Sequence, residues 1–104
     1  MRRWRVSADE ARALALSFAG AVEQDHHGRP SFRVNGKIFA TLWTDEQLNV
    51  MLPGDRIEQV AADEPERCEP VHWGKRLAAI RVHLPLADSP LVEALLAEAW
   101  QRRA

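Results

Sequence analysis

Two hydrophobic periods alternate along the chain, and each change of period marks a new element. Ser7-Ala8-Asp9-Glu10 has the S-x-x-E form of a capping box, in which hydroxyl and carboxylate each take an orphan backbone N–H. Ala11, Leu14, Ala15 and Phe18 then fall on one helical stripe, and Gly20 offers a left-handed stop. This predicts a helix over about Ala8 to Ala19. From Ala21 to Leu52 the period drops to two. Asn35-Gly36 marks a two-residue type I′ turn, which would set Val34 opposite Lys37 and Phe32 opposite Phe39. A second turn within Thr44-Asp45-Glu46-Gln47 would set Trp43 opposite Leu48 and Thr41 opposite Val50. Paired residues share a face, so Phe32, Val34, Phe39, Trp43, Leu48, Val50 and Leu52 form the expected core side. Arg33, Ile38, Ala40, Leu42, Asn49 and Met51 fall on the other.

Pro53-Gly54-Asp55 breaks the strand and opens a second helix, about Arg56 to Asp63, with Ile57, Val60 and Ala61 inward. Cys68 to Val71 reads as a short strand that Pro70 confines to an edge or a bulge. His72 to Arg76 reads as a loop. Ala78 to Leu84 alternates again, with Ile80, Val82 and Leu84 inward and Arg81 and His83 outward. Asp88-Ser89-Pro90 starts a third helix, whose stripe is Val92, Leu95, Leu96, Ala99 and Trp100. Arg102-Arg103 suit its negative end. The order is one helix, three strands, a helix, two strands and a helix: an α+β domain of residues 1–104 with a five-stranded, mainly antiparallel sheet. Helices 1 and 3 are expected on the apolar face, with helix 2 more peripheral.

Composition narrows the partners. The 104 residues are 46% hydrophobic and 28% charged, ordinary for one globular domain with a modest core. A formal net charge of -1 excludes a domain that coats nucleic acid by charge alone. The sign varies along the chain, however. Residues 1–44 carry seven basic and four acidic side chains, residues 45–70 two and eight, and residues 71–104 five and three. The acidic block covers helix 2 and its flanks, so helix 2 is expected to face away from any phosphate backbone; the plainer account is a solvated helix face. One cysteine, Cys68, excludes an intramolecular disulfide and suits a reducing, cytoplasmic setting. No apolar stretch follows the basic Met1-Arg2-Arg3-Trp4-Arg5, so no signal peptide and no membrane partner are expected.

In the order and spacing of five short pieces the chain resembles the MmcQ/YjbR family of small bacterial proteins. The pieces are Ala15-Leu16-Ser17-Phe18-Ala19-Gly20-Ala21-Val22-Glu23, the hairpin Phe32-Arg33-Val34-Asn35-Gly36-Lys37-Ile38-Phe39-Ala40, Trp73-Gly74-Lys75-Arg76, Ile80-Arg81-Val82 and Glu98-Ala99-Trp100. The resemblance covers about Ala11 to Arg103. It implies an α-β(3)-α-β(2)-α sandwich similar to type III secretion chaperones, the order read above from the residues alone. It further implies DNA binding, with no catalytic residues to carry over. The chain departs from the usual pattern at Ala19, where many members have proline, and at His26-His27, where an aromatic or proline is more usual.

The residues offer several constellations. Arg33, Arg81 and His83 share the outward face with Ile38, Leu42 and Met51; this suits a nucleic-acid platform, the face of a homodimer, or cations left in solvent. Trp73-Gly74-Lys75-Arg76 could present an indole to an unpaired base and two cations to phosphate. The plainer account has Trp73 as a core plug beneath a solvated turn. Cys68 with His72, joined by His26-His27 or His83, lacks the paired spacing of a zinc site, and no metal or cofactor is expected. Cys68 also lacks an orienting group and an oxyanion device, so it reads as a small buried hydrophobe rather than a nucleophile. Two function classes remain. One is a non-enzymatic DNA-binding domain contacting phosphates through Arg33, Lys75, Arg76 and Arg81, with Trp73 stacking. The other is a protein-interaction or chaperone-like module acting as a homodimer.

Overall fold

In the computed structural model, which describes residues 5–104, the capping box of α1 (Ala8–Leu16) is complete. Ser7 Oγ accepts from the Glu10 N–H at 3.0 Å, and the Glu10 carboxylate accepts from the Ser7 N–H at 3.3 Å. Most of the basic opening, Met1 to Trp4, lies outside the described residues. The helix ends at Leu16 rather than Ala19, because Ser17 turns its hydroxyl back onto the Leu14 carbonyl at 2.6 Å. Phe18 leaves the helix, stacks on Trp100 at 5.6 Å between ring centroids and meets Phe39 edge-on. Gly20, at φ 74°, supplies the left-handed residue.

Six strands follow, one more than the pattern announced: β1 (Val22–His26), β2 (Arg29–Val34), β3 (Lys37–Thr44), β4 (Gln47–Val50), β5 (Cys68–Trp73) and β6 (Arg76–His83). They form one antiparallel sheet in the order β1-β2-β3-β4-β6-β5. α2 (Gly54–Asp63) lies between β4 and β5, and α3 (Ser89–Arg103) closes the chain. The additional strand is β1. All five of its residues are exposed, so it has no apolar alternation to betray it. It is joined to β2 through His27 and Gly28, both at positive φ, a turn in which histidine replaces the usual asparagine. The expected loop over His72 to Arg76 is likewise the tip of a hairpin, with Trp73 paired to Arg76 across Gly74-Lys75. Pro70 sits on the edge strand β5, where its missing N–H costs nothing.

The Asn35-Gly36 turn pairs Val34 with Lys37 as expected. Beyond it the register departs. An irregularity after the next pair, Arg33 with Ile38, sets Phe32 opposite Ala40, not Phe39, and inverts the rest of β3. Ala40 and Leu42 therefore turn into the core opposite Val50 and Leu48, and Thr41 faces outward opposite Asn49. Trp43, expected in the core, lies on the outer face at a second bulge and is 38% exposed. That bulge accompanies a turn whose Asp45 and Glu46 keep negative φ, unlike the glycine-bearing turns.

The helices bury one face of the sheet. α3 lies over β3 and β4, and α1 packs on α3. α2 is not peripheral: it seats Ile57 and Val60 against β5 and β6. Phe32, Phe39, Leu48, Ile57, Ile80, Leu95 and Leu96 are fully buried in one cluster, each stabilising the fold by about 1.5–3 kcal/mol relative to exposure. Arg56 of α2 grips Glu98 of α3 through Nε and a terminal nitrogen at 2.8 and 3.0 Å. The hydrogen bond to Glu98 raises the guanidinium pKa further above its ordinary value. Cys68 is buried, as expected.

Candidate functional site

Among the described residues the other face of the sheet carries no helix. Directly opposed residues run across it from edge to edge as Gln24, Ser31, Thr41, Asn49, Arg81 and Glu69. Ser31, Thr41 and Asn49 are buried despite facing away from the helices. Ser31 and Asn49 find partners close by, as burial demands. Ser31 Oγ donates to the Gln24 carbonyl at 2.8 Å and accepts from Arg33 Nε at 3.3 Å. Arg81 Nε donates to Asn49 Oδ1 at 2.9 Å, and the Glu69 carboxylate lies 3.7 Å from Arg81 and 3.3 Å from His83.

This face is hollow. A cleft of about 730 Å³, in the size range of ligand sites, runs over it from the β1–β2 turn to the β5–β6 turn. Among the described residues its cations are Arg29, Arg33, Lys37, Arg76 and Arg103, drawn from four elements, and no carboxylate lines it. Among the described residues none of these five forms an ion pair, whereas Arg12, Arg56 and Arg67 on the helical side are all paired. Arg103 Nε is buried without a hydrogen-bond acceptor among the described residues. The alternation of β1 explains part of this sorting. Gln24 and His26 share the cleft face, while Glu23 turns toward the helices and holds Arg12 at 2.9 Å.

Two indoles line the same cleft. The Arg29 guanidinium lies 3.8 Å over the centroid of Trp43, with its Nε donating to the Trp43 carbonyl at 2.9 Å, and Arg81 comes within 5.3 Å of that ring. Trp73 is 57% exposed, with Arg76 5.7 Å from its centroid. At the far end His26 and His27 meet edge-on, 4.4 Å between centroids.

Of the residues singled out from sequence, Arg33, Trp73 and Arg76 line the cleft together. Arg81 lies beneath it, held by Asn49 and Glu69. Lys75 falls outside, in the β5–β6 turn beside Leu77 and Arg102. Trp73 is no core plug. Arg29, Lys37, Trp43 and Arg103 were not anticipated: the β3 bulge hid Trp43, and the unread β1 hairpin hid Arg29. Among the described residues no three His, Cys, Asp or Glu side chains gather as metal ligands. Cys68 lies in the core, where burial above all pushes its thiol up to about 11. Among the described residues no helix is long and apolar enough to cross a membrane.

Residues 16–102 match the YjbR family model. None of the curated proteins matches the chain. Among solved structures the chain is similar to protein DR2400 of Deinococcus radiodurans, which carries a DUF419 domain. The TM-score is 0.75 at 15% identity, over 92% of this chain and 77% of that one, a likeness of fold.

Proposed function

The chain belongs to the YjbR family, and from that premise we propose that it is a non-enzymatic nucleic-acid-binding protein, DNA included, that takes phosphates on the helix-free face of its sheet. The observation carrying this reading is the convergence of five cations on one cleft that, among the described residues, gives them no ion-pair partner and no carboxylate in its lining. Holding like charges together costs free energy unless an anion meets them, and the forked N–H donors of a guanidinium match the oxygens of a phosphate. Arg33 and Arg76 are the principal contacts, joined by Arg29, Lys37 and Arg103. Arg81 supports the floor rather than reaching for ligand, and Lys75 contributes at the rim.

A salt series tests it. Affinity for DNA and for RNA should fall steeply with salt, and replacing Arg33 and Arg76 by alanine should flatten the slope by about 1 per arginine. Absence of binding to either at low salt would refute the reading.

The alternative, an interaction module acting as a homodimer, draws support from β1, an exposed edge strand with one side of its backbone open to pairing. Pairing two helix-free faces would instead bring two sets of five cations together. A monomer at high concentration would exclude the homodimer.

A further inference from the structure

The two indoles of the cleft differ in what they can still contact. Trp43 has the Arg29 guanidinium over its ring at 3.8 Å and Arg81 close by, so cations already occupy it. Trp73 is 57% exposed, and among the described residues the one cation over its ring, Arg76, stands off at 5.7 Å. An exposed indole costs hydration free energy, and here it sits at the mouth of a basic hollow rather than on a convex surface. A flat, π-faced group would cover it, and the cations around it require that group to carry negative charge. An unpaired nucleotide has both properties. In a duplex each base is stacked on both faces and offers none to an indole. A hollow also projects nothing into a groove, as a duplex reader must.

The spread of charge sets the length of the ligand. Arg29 and Arg33 are four residues apart on one strand, about 13 Å at the rise of a β-strand, which one phosphate cannot bridge. Lys37 and Arg76 extend the basic lining toward the other end. We propose that the cleft binds single-stranded nucleic acid, with one base stacked on Trp73 and successive phosphates on Arg76, Arg33 and Arg29. Trp43 acts as a buttress that holds Arg29 in place. This rests on the nucleic-acid reading and adds strand state and a stacking residue to it.

The test compares full-length protein binding to a short single strand, a duplex of the same length, an abasic strand and a nucleoside monophosphate at one low salt concentration. The single strand should bind at least tenfold more tightly than the other three. Trp73→Ala should weaken single-strand binding about tenfold, Trp73→Phe should restore most of it, and neither should change the salt slope. Against the abasic strand Trp73→Ala should make no difference. The exposure of Trp73 leaves the fold intact in both variants, which circular dichroism would verify. Equal affinity for duplex and single strand, or a Trp73→Ala protein as tight as wild type, would overturn the stacking proposal while leaving the phosphate reading standing. A monophosphate binding as tightly as the strand would make a free nucleotide the ligand and overturn the proposal in that way. Loss of all binding at low salt would remove both readings.

Discussion

Trp43 and Trp73 carry the same side chain into different work, and the difference lies in their neighbours. Arg29 and Arg81 hold Trp43 as part of the wall, while Trp73 stands open at the mouth. Cys68 shows the same dependence on surroundings. Its burial in the core raises the thiol pKa to about 11 from 9.0, so the folded protein holds almost no thiolate near neutrality. A thiol reagent at mildly alkaline pH should therefore react slowly with native protein and promptly with denatured protein, a contrast mass spectrometry would read. The sign of the stability effect follows. The unfolded chain ionises first, so this contribution is whole below pH 9 and declines as pH rises toward 11. Prompt alkylation of native protein would mean that the site opens.

The legible elements are those whose signal is local. Asn35-Gly36 gave the β2–β3 turn because positive φ at both residues, 53° and 75°, is written in those two side chains. Gly36→Ala should accordingly cost about 1 kcal/mol, read as a shift in the denaturant midpoint. A shift of nothing would mean the turn relaxes to another type. The stripes of α2 and α3 and the alternation of β6 were legible for the same reason. β1 was not, since its five exposed residues are ordered by pairing with β2 rather than by burial. Nor was the inverted half of β3. The irregularity before Phe39 depends on how that ring fits against Phe18 and the core, which no local pattern records. Three cleft residues were legible all the same: Arg33 pairs in register beside the Asn35-Gly36 turn, and Trp73 and Arg76 stand out as a short motif whose stretch was expected to be a loop, with no register at stake. Trp43 and Arg29 were not.

At the scale of the whole molecule, near-neutrality hides a division between faces. The acidic block of residues 45–70 includes α2, whose Asp55, Glu58 and Asp63 are exposed on the helical side of the sheet, away from the cleft. Net charge and the number of phosphates contacted are therefore separable. Glu58→Lys should move the net charge from -1 to about +1 yet leave the salt slope for nucleic acid unchanged within about 0.3, because counterion release counts contacts. A slope that steepens by about 1 would place α2 on the binding side.

The polar row beneath the cleft also acts while the chain is folding. Side chains alternate between faces, so slipping any strand by one residue would carry Ser31, Thr41 or Asn49 into the helical core and expel Phe32 or Leu48. Each polar group buried in the core without a partner would cost about 1–3 kcal/mol, beside the lost apolar burial. Mispaired hairpins thus cannot accept the helices without that penalty, and Ser31, Thr41 and Asn49 select the register of the sheet as the helices dock.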